Sequence, residues 1–302
     1  MFSNRYIFIY ATILVVVIAA LLSTTAKILQ PLQERNTRIA KIQDILASAG
    51  IESTRGNAEQ LFDKHIVDQR LINRHGKVVS DGRHAFDIDL RDERRRLQDI
   101  EVGRSNVEPV FPLFVSENNG QRLYIVPVLG RGLWGPLWGY VALKDDFNTI
   151  AGVVFDHQGE TPGLGAEISE YWFQDRFIGK KIFDNDGKFV SVTVVKGGVA
   201  NSYIPTEHGV DALSGSTITS EGLSNMIKQS LANYVQYFEN YRQEILRAEA
   251  AKIEAIRLAE EQRVQDSIAL EQAQQRERYR RWQQQQQQLQ EQQDIEVQKT
   301  IE

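Results

Sequence analysis

The chain opens on an unbroken apolar run. From Tyr6 to Ala26 no residue is charged, and Tyr6–Leu22 reads YIFIYATILVVVIAALL. As an α-helix rising about 1.5 Å per residue, this stretch spans roughly 30 Å, the thickness of a bilayer's hydrocarbon core. Tyr6 and Tyr10 stand near one end, where interfacial aromatics belong. Buried core helices seldom run this far without a polar face. A cleaved signal peptide would have only Arg5 as its basic region and lacks a clean small-x-small cleavage site. The pattern predicts a retained single-span anchor over residues 1–27.

Beyond residue 27 the pattern changes. In Gln33–Ala49 the apolar residues Ile39, Ile42, Ile45 and Leu46 recur at helical spacing, and Gly50 follows as a C-terminal stop. After a long polar middle come strand-like runs at Arg122–Leu129, Gly139–Leu143 and Ile150–Phe155. In Val190–Lys196 the residues Val190, Val192 and Val194 alternate with period two. Glu167–Phe177 and Glu221–Asn233 read as helices, the second with Leu223, Met226, Ile227 and Leu231 on one face. Strands and helices intermix without a regular βαβ repeat, so residues 28–240 are expected to form an α+β domain with a mixed sheet and flanking helices. Residues 241–302 differ again. From Arg242 onward there are 10 basic and 12 acidic residues and no glycine or proline, a strongly helix-forming composition. Ile245, Ile253, Ile256 and Ile268 hold no clean heptad, and six glutamines follow Trp282. A solvated helix fraying into low-complexity chain is the expectation there.

Composition narrows the chemistry. The net charge of −5 argues against a dedicated nucleic-acid binder. With no cysteine, the chain itself can supply neither disulfides, thiol catalysis nor iron–sulfur ligation, so any metal cluster belongs to a partner. There is no G-x-S-x-G elbow, P-loop, H-E-x-x-H or G-x-G-x-x-G fingerprint. His157, beside Asp156, reads as a structural or surface histidine.

Three segments stand out. Gly130–Tyr140, GRGLWGPLWGY, combines four glycines with two tryptophans. It reads equally as a tight hairpin packed on core aromatics and as a wall for a planar ligand. Gly159–Glu167, GETPGLGAE, carries a Pro162-Gly163 turn, and a helix opening at Ala166 would offer N–H groups to an anion. In Asp211–Ser220, DALSGSTITS, hydroxyls crowd around Gly215. Capping by Thr219 or Ser220 would use one of them and leave Ser214, Ser216 and Thr217 unexplained.

The last segment resembles the flavinylation motif of FMN-binding domains, Asp-x-x-Ser/Thr-Gly-Ala-Thr. GRGLWGPLWGYVAL, DHQGETPGLGAEI and FIGK, in that order and behind an N-terminal anchor, are similar to the C-subunit family of sodium-translocating NADH:quinone reductases. The resemblance covers roughly residues 1–240; the tail has no counterpart in it. It implies covalent FMN held by a phosphoester to Thr217, with Ser214, Gly215 and Ser216 completing the motif. It further implies an apolar ring pocket of Trp134, Leu164 and the backbone around Gly163 and Gly165, and a hydrogen bond from Thr161. Ser216 departs from the family's alanine and adds a hydroxyl beside the acceptor.

The implied function is an electron-carrier subunit of a translocating oxidoreductase. It would relay electrons from iron–sulfur partners to a flavin in a neighbouring membrane subunit, after maturation by a flavin transferase. The implied location is a bacterial inner membrane, single-pass, with the flavin domain periplasmic. The basic residues Lys27, Arg35, Arg38 and Lys41 after the span point the other way, but the positive-inside rule is strongest for short loops. Two alternatives stand beside this: the G subunit of the Rnf ferredoxin:NAD oxidoreductase, and a membrane-anchored scaffold with a degenerate flavin domain. The long segment between anchor and GLWGP, with its QDILASAGI stretch, favours the sodium pump.

Overall fold

In the computed structural model, which describes residues 3–80, 82–118 and 120–301, the first element is a single long helix, α1 (Asn4–Ser48). It joins the apolar run to the amphipathic stretch that follows. Pro31 lies inside it, where its missing N–H removes one backbone bond. The apolar window has a mean hydropathy of 2.6 and no buried residue, so α1 is long and apolar enough to cross a membrane. Only its last turns, carrying Ile39, Ile42, Ile45 and Leu46, are buried.

Next come α2 (Ala58–His65), β1 (Ile66–Asn73), β2 (Val78–Val79) and α3 (Leu90–Glu101). The strands β3 (Val110–Asn118), β4 (Gln121–Arg131), β5 (Pro136–Leu143) and β6 (Ile150–His157) follow as a meander. These strands form one six-stranded sheet in the order β2-β1-β3-β4-β5-β6, antiparallel at every pairing. The chain continues through α4 (Tyr171–Gln174), β7 (Thr193–Val195), β8 (Gly209–Asp211), α5 (Thr217–Ala232) and α6 (Val235–Ile301). β7 and β8 pair in parallel as a separate small sheet.

One face of the large sheet is covered by the end of α1 and by α2, with Ile42, Ile45, Leu46, Phe62, Phe114 and Ile125 in the core. α5 lies on the other face against β4. That contact is unusually close. A Cβ on Gly222 of α5 would sit 2.3 Å from the Arg131 carbonyl oxygen, and one on Gly130 of β4 2.5 Å from Met226 Cβ. Only glycine permits this approach.

The sheet splits where two prolines oppose each other. The β3–β4 ladder runs from Asn118↔Gln121 to Phe114↔Ile125, and the same register brings Pro112 opposite Pro127. Neither has an N–H to donate, and the ladder stops there. The freed backbone groups are satisfied by side chains from both faces. The buried Glu93 carboxylate of α3 accepts the Val110 N–H at 2.9 Å, and Ser230 of α5 accepts the Leu129 N–H at 3.1 Å. The Leu129 carbonyl accepts from Arg94, and the Pro112 carbonyl from the Tyr234 hydroxyl at 2.7 Å. Arg83 and Arg96 pair with Glu93 at 2.7 and 2.8 Å.

Several expectations change here. The runs in β4, β5 and β6 are strands as the pattern implies, but Val190–Lys196 contracts to the three residues of β7. Glu167–Phe177 is no continuous helix: Glu170 is extended (φ −80, ψ 138) between a 3-10 turn at Gly165–Ser169 and α4. The buried Gln174 amide holds this fold-back by donating to the Phe155 and Ile168 carbonyls at 3.0 and 3.2 Å. No strand is expected from sequence at β1 or β3. β3 is buried on both faces from Val110 to Ser116, so it shows no alternation, and Pro112 argues against a central strand.

The chain divides into two units, Met1–Asn240 and Tyr241–Glu302. The first turn of α6 belongs to the former, where Tyr237 and Phe238 are buried. The latter is helix through Ile301, and its described side chains from Gln243 onward are exposed.

Candidate functional site

The GRGLWG segment is the turn between β4 and β5. The Gly132 N–H donates to the Gly135 carbonyl at 2.8 Å, which leaves Leu133 and Trp134 at the tip. The hairpin reading of this segment therefore stands, but Trp134 is 68% exposed rather than packed on core aromatics.

The GETPGLG segment follows β6. Asp156 accepts the His157 N–H at 2.7 Å, and His157 Nδ1 accepts the Glu160 N–H at 3.1 Å. His157 thus shapes the turn, with Nδ1 as an acceptor. The Thr161 carbonyl accepts from the N–H groups of Leu164 and Ala166, both at 3.1 Å. Gly163 is exposed with φ +76, and its N–H donates to Glu167 at 3.1 Å. Leu164 projects outward, 41% exposed. The Thr161 side chain is exposed as well.

The DALSGST segment leads into α5. The helix starts earlier than the capping pattern implies: Ser216 is the N-cap residue and Thr217 the first helical residue. The Ser220 N–H makes the first helical bond, to the Ser216 carbonyl at 2.9 Å. Thr219 and Ser220 lie within the helix and cap nothing. Gly215 takes φ +74, and a Cβ there would come within 2.9 Å of Leu164 Cδ2. So the second and third segments touch. Ser214 is exposed and Thr217 half-buried. Ser216 is 6% exposed, and its hydroxyl, like that of Ser220, finds no partner among the described residues. Among the described residues no side chain caps α5, and the N–H groups of its first turn have no acceptor within the helix.

Glu160, which the sequence offers only as part of a turn, sits at the centre of all three segments. It is 4% exposed. Its Oε1 accepts the Trp134 N–H at 2.9 Å, and its Oε2 accepts the Thr219 hydroxyl at 2.6 Å. A Cβ on Gly132 would lie 2.5 Å from Oε1, and one on Gly165 2.6 Å from Oε2. Two glycines that suggest a ligand's approach therefore make room for a carboxylate of the chain itself. The one sequence signal was the clustering of glycines at a fixed place in both loops.

Chemically, the assembly offers an anion-receptive helix start, a half-buried hydroxyl on its first residue and exposed apolar side chains beside it. Among the described residues, no group of three or more His, Cys, Asp or Glu could hold a metal.

Known proteins share this sequence and fold. Residues 132–232 match the model of the FMN-binding domain family. The C subunit of the Na(+)-translocating NADH-quinone reductase of Vibrio anguillarum is 34% identical over 69% of this chain and 83% of its own length. Its counterpart in Haemophilus ducreyi is 32% identical over 72% and 87%. The crystal structure of the counterpart from Parabacteroides distasonis superposes with a TM-score of 0.61 at 39% identity, over 70% of this chain and 96% of that one. Shewanella oneidensis NqrC gives 0.57 at 32%, over 69% and 99%. With relatives this similar across most of their length, the chain belongs to the C-subunit family of the Na(+)-translocating NADH-quinone reductase, a sodium-translocating oxidoreductase.

Proposed function

We propose that Thr217 carries FMN through a phosphoester bond and that the chain relays electrons within a sodium-translocating complex. The observation that carries this is the position of Thr217: first residue of an uncapped helix, with Leu164 against the adjacent Gly215. The residues fit the group. A phosphodiester on Thr217 Oγ1 lies where the α5 dipole and free N–H groups favour an anion. The buried hydroxyls of Ser216 and Ser220, without a partner among the described residues, are further donors in the same turn. Trp134 and Leu164 present apolar faces to a flat ring, Gly163 lets the backbone pass beside it, and the exposed Thr161 supplies a hydrogen bond. Bound FMN supplies the reversible electron chemistry; the chain binds, orients and tunes it.

In this reading electrons come from iron–sulfur partners and leave to a flavin in a neighbouring membrane subunit. A flavin transferase attaches the group. α1 anchors the chain in a bacterial inner membrane as a single span over residues 1–27, with the flavin domain, 28–240, on the periplasmic side, and 241–302 stands as a third part. Protease digestion of right-side-out membranes tests the topology: protection of the domain places it inside instead.

The test of attachment is flavin fluorescence of the denatured band after co-expression with a flavin transferase. Fluorescence in the parent and none in Thr217→Ala is expected. A dark parent band, with the transferase active on a control substrate, ends the carrier reading.

A further inference from the structure

We infer that Glu160 is a positioning residue of the flavin site: its buried carboxylate fixes the acceptor helix and the Trp134 loop relative to each other. This rests on the reading of Thr217 as the attachment residue.

The argument is geometric. One oxygen holds the backbone of Trp134, and the other holds the hydroxyl of Thr219, two residues after Thr217. The carboxylate thus ties together two segments that do not adjoin in the chain. It is acceptor-only, and each oxygen faces a donor. No cation pairs with it among the described residues. Its charge is balanced by the two donors and by the positive end of α5. Because it takes the Thr219 hydroxyl and not the backbone amides, it leaves the first-turn N–H groups of α5 available to a phosphate. The glycines at 132 and 165 close over both oxygens, so the carboxylate cannot swing away without moving one loop.

Glutamine fills the same volume, keeps the Trp134 N–H on its oxygen and can donate its NH2 to the Thr219 hydroxyl, so it removes the charge and reverses one bond. Thr219→Val keeps the shape and removes only the hydroxyl. Both variants, in the full-length chain with its transferase, are followed by two readouts. The first is the rate of covalent flavin incorporation. About tenfold slowing is expected in Thr219→Val, the effect of losing one hydrogen bond to a charged group, and a smaller slowing in Glu160→Gln, where both bonds become neutral. The double variant, whose glutamine NH2 has no acceptor at residue 219, should be at least as slow as Thr219→Val. The second is amide hydrogen exchange of the unflavinylated protein. Exchange should rise at Gly132 and Trp134 and in residues 220–222, whose N–H groups are bonded, while the β4–β5 ladder keeps its parent protection, which separates positioning from general loss of stability. If Glu160→Gln loses protection throughout, Thr219→Val decides alone. Parent-like incorporation in Thr219→Val, or unchanged exchange in both segments, overturns the inference. A dark parent band overturns the Thr217 reading, and the positioning role with it. A bright parent with equally fast variants overturns the positioning role only.

Discussion

Asp44 shows how one side chain senses the packing around it. It stands on the buried end of α1, and burial, reinforced by the charge of Asp156, pushes its carboxyl up to about 6 from an ordinary 3.8. The folded state therefore holds this proton more tightly than the unfolded chain. Below pH 4 both states are protonated and nothing is lost. Between pH 4 and 6 stability falls as pH rises, and above 6 the full penalty persists. Asp44→Asn should raise stability at pH 7 by on the order of 1–3 kcal/mol, with the gain gone below pH 4. Urea unfolding at both pH values checks it; equal midpoints at pH 7 would refute it. Ser216 is the second residue-scale case. A serine N-cap replaced by alanine usually costs about 1 kcal/mol. Here the hydroxyl caps nothing and is buried without a partner among the described residues. Ser216→Ala should leave the flavin-free protein as stable as the parent or slightly more so. A clear drop in its melting temperature would show that the hydroxyl is bonded after all.

At the scale of elements, α5 is placed by contacts that override its own preferences. Gly to Ala inside a helix normally stabilises by roughly 1 kcal/mol. At Gly222 the added Cβ would press on the Arg131 carbonyl at 2.3 Å. Gly222→Ala should therefore destabilise, by about 1–3 kcal/mol, the usual penalty of overpacking. It should also slow flavin attachment, since α5 must lift from the hairpin that holds Trp134. Denaturant unfolding with unchanged slope would show the first effect, and a gain in midpoint would refute the argument. The proline-split sheet follows the same logic. Pro112 and Pro127 are poor residues for central strands, yet the gap they open is bridged by Glu93, Arg94, Ser230 and Tyr234.

At the scale of the whole molecule, the boundary near Asn240 separates a packed unit from an exposed helix. Truncation after Asn240 should leave the unfolding midpoint of the remaining unit and its flavin loading unchanged. Truncation after Asn233 removes the buried Tyr234, Tyr237 and Phe238. That should cost several kcal/mol, given about 3–5 kcal/mol for deletion of one large buried aromatic. Calorimetry of the two truncations compares them directly, and equal stability would place the boundary earlier.

Much of this molecule is legible in its sequence. An apolar run long enough to span a bilayer, the strands β4 to β6, the body of α5 and the polar tail all rest on periodicity or composition within a short window. Such signals survive because they depend on neighbours in the chain. The motif residues from Ser214 to Thr217 are local in the same sense. Tertiary structure decided the rest. β3 hid from periodicity because both its faces are buried, and α5 begins at Thr217 because the Ser216 carbonyl accepts its first bond. Glu160 acquired its role only when the fold brought Trp134 and Thr219 to its two oxygens. A buried polar group is defined by its partners, and here those partners are set by strand register and helix packing, which no local pattern encodes.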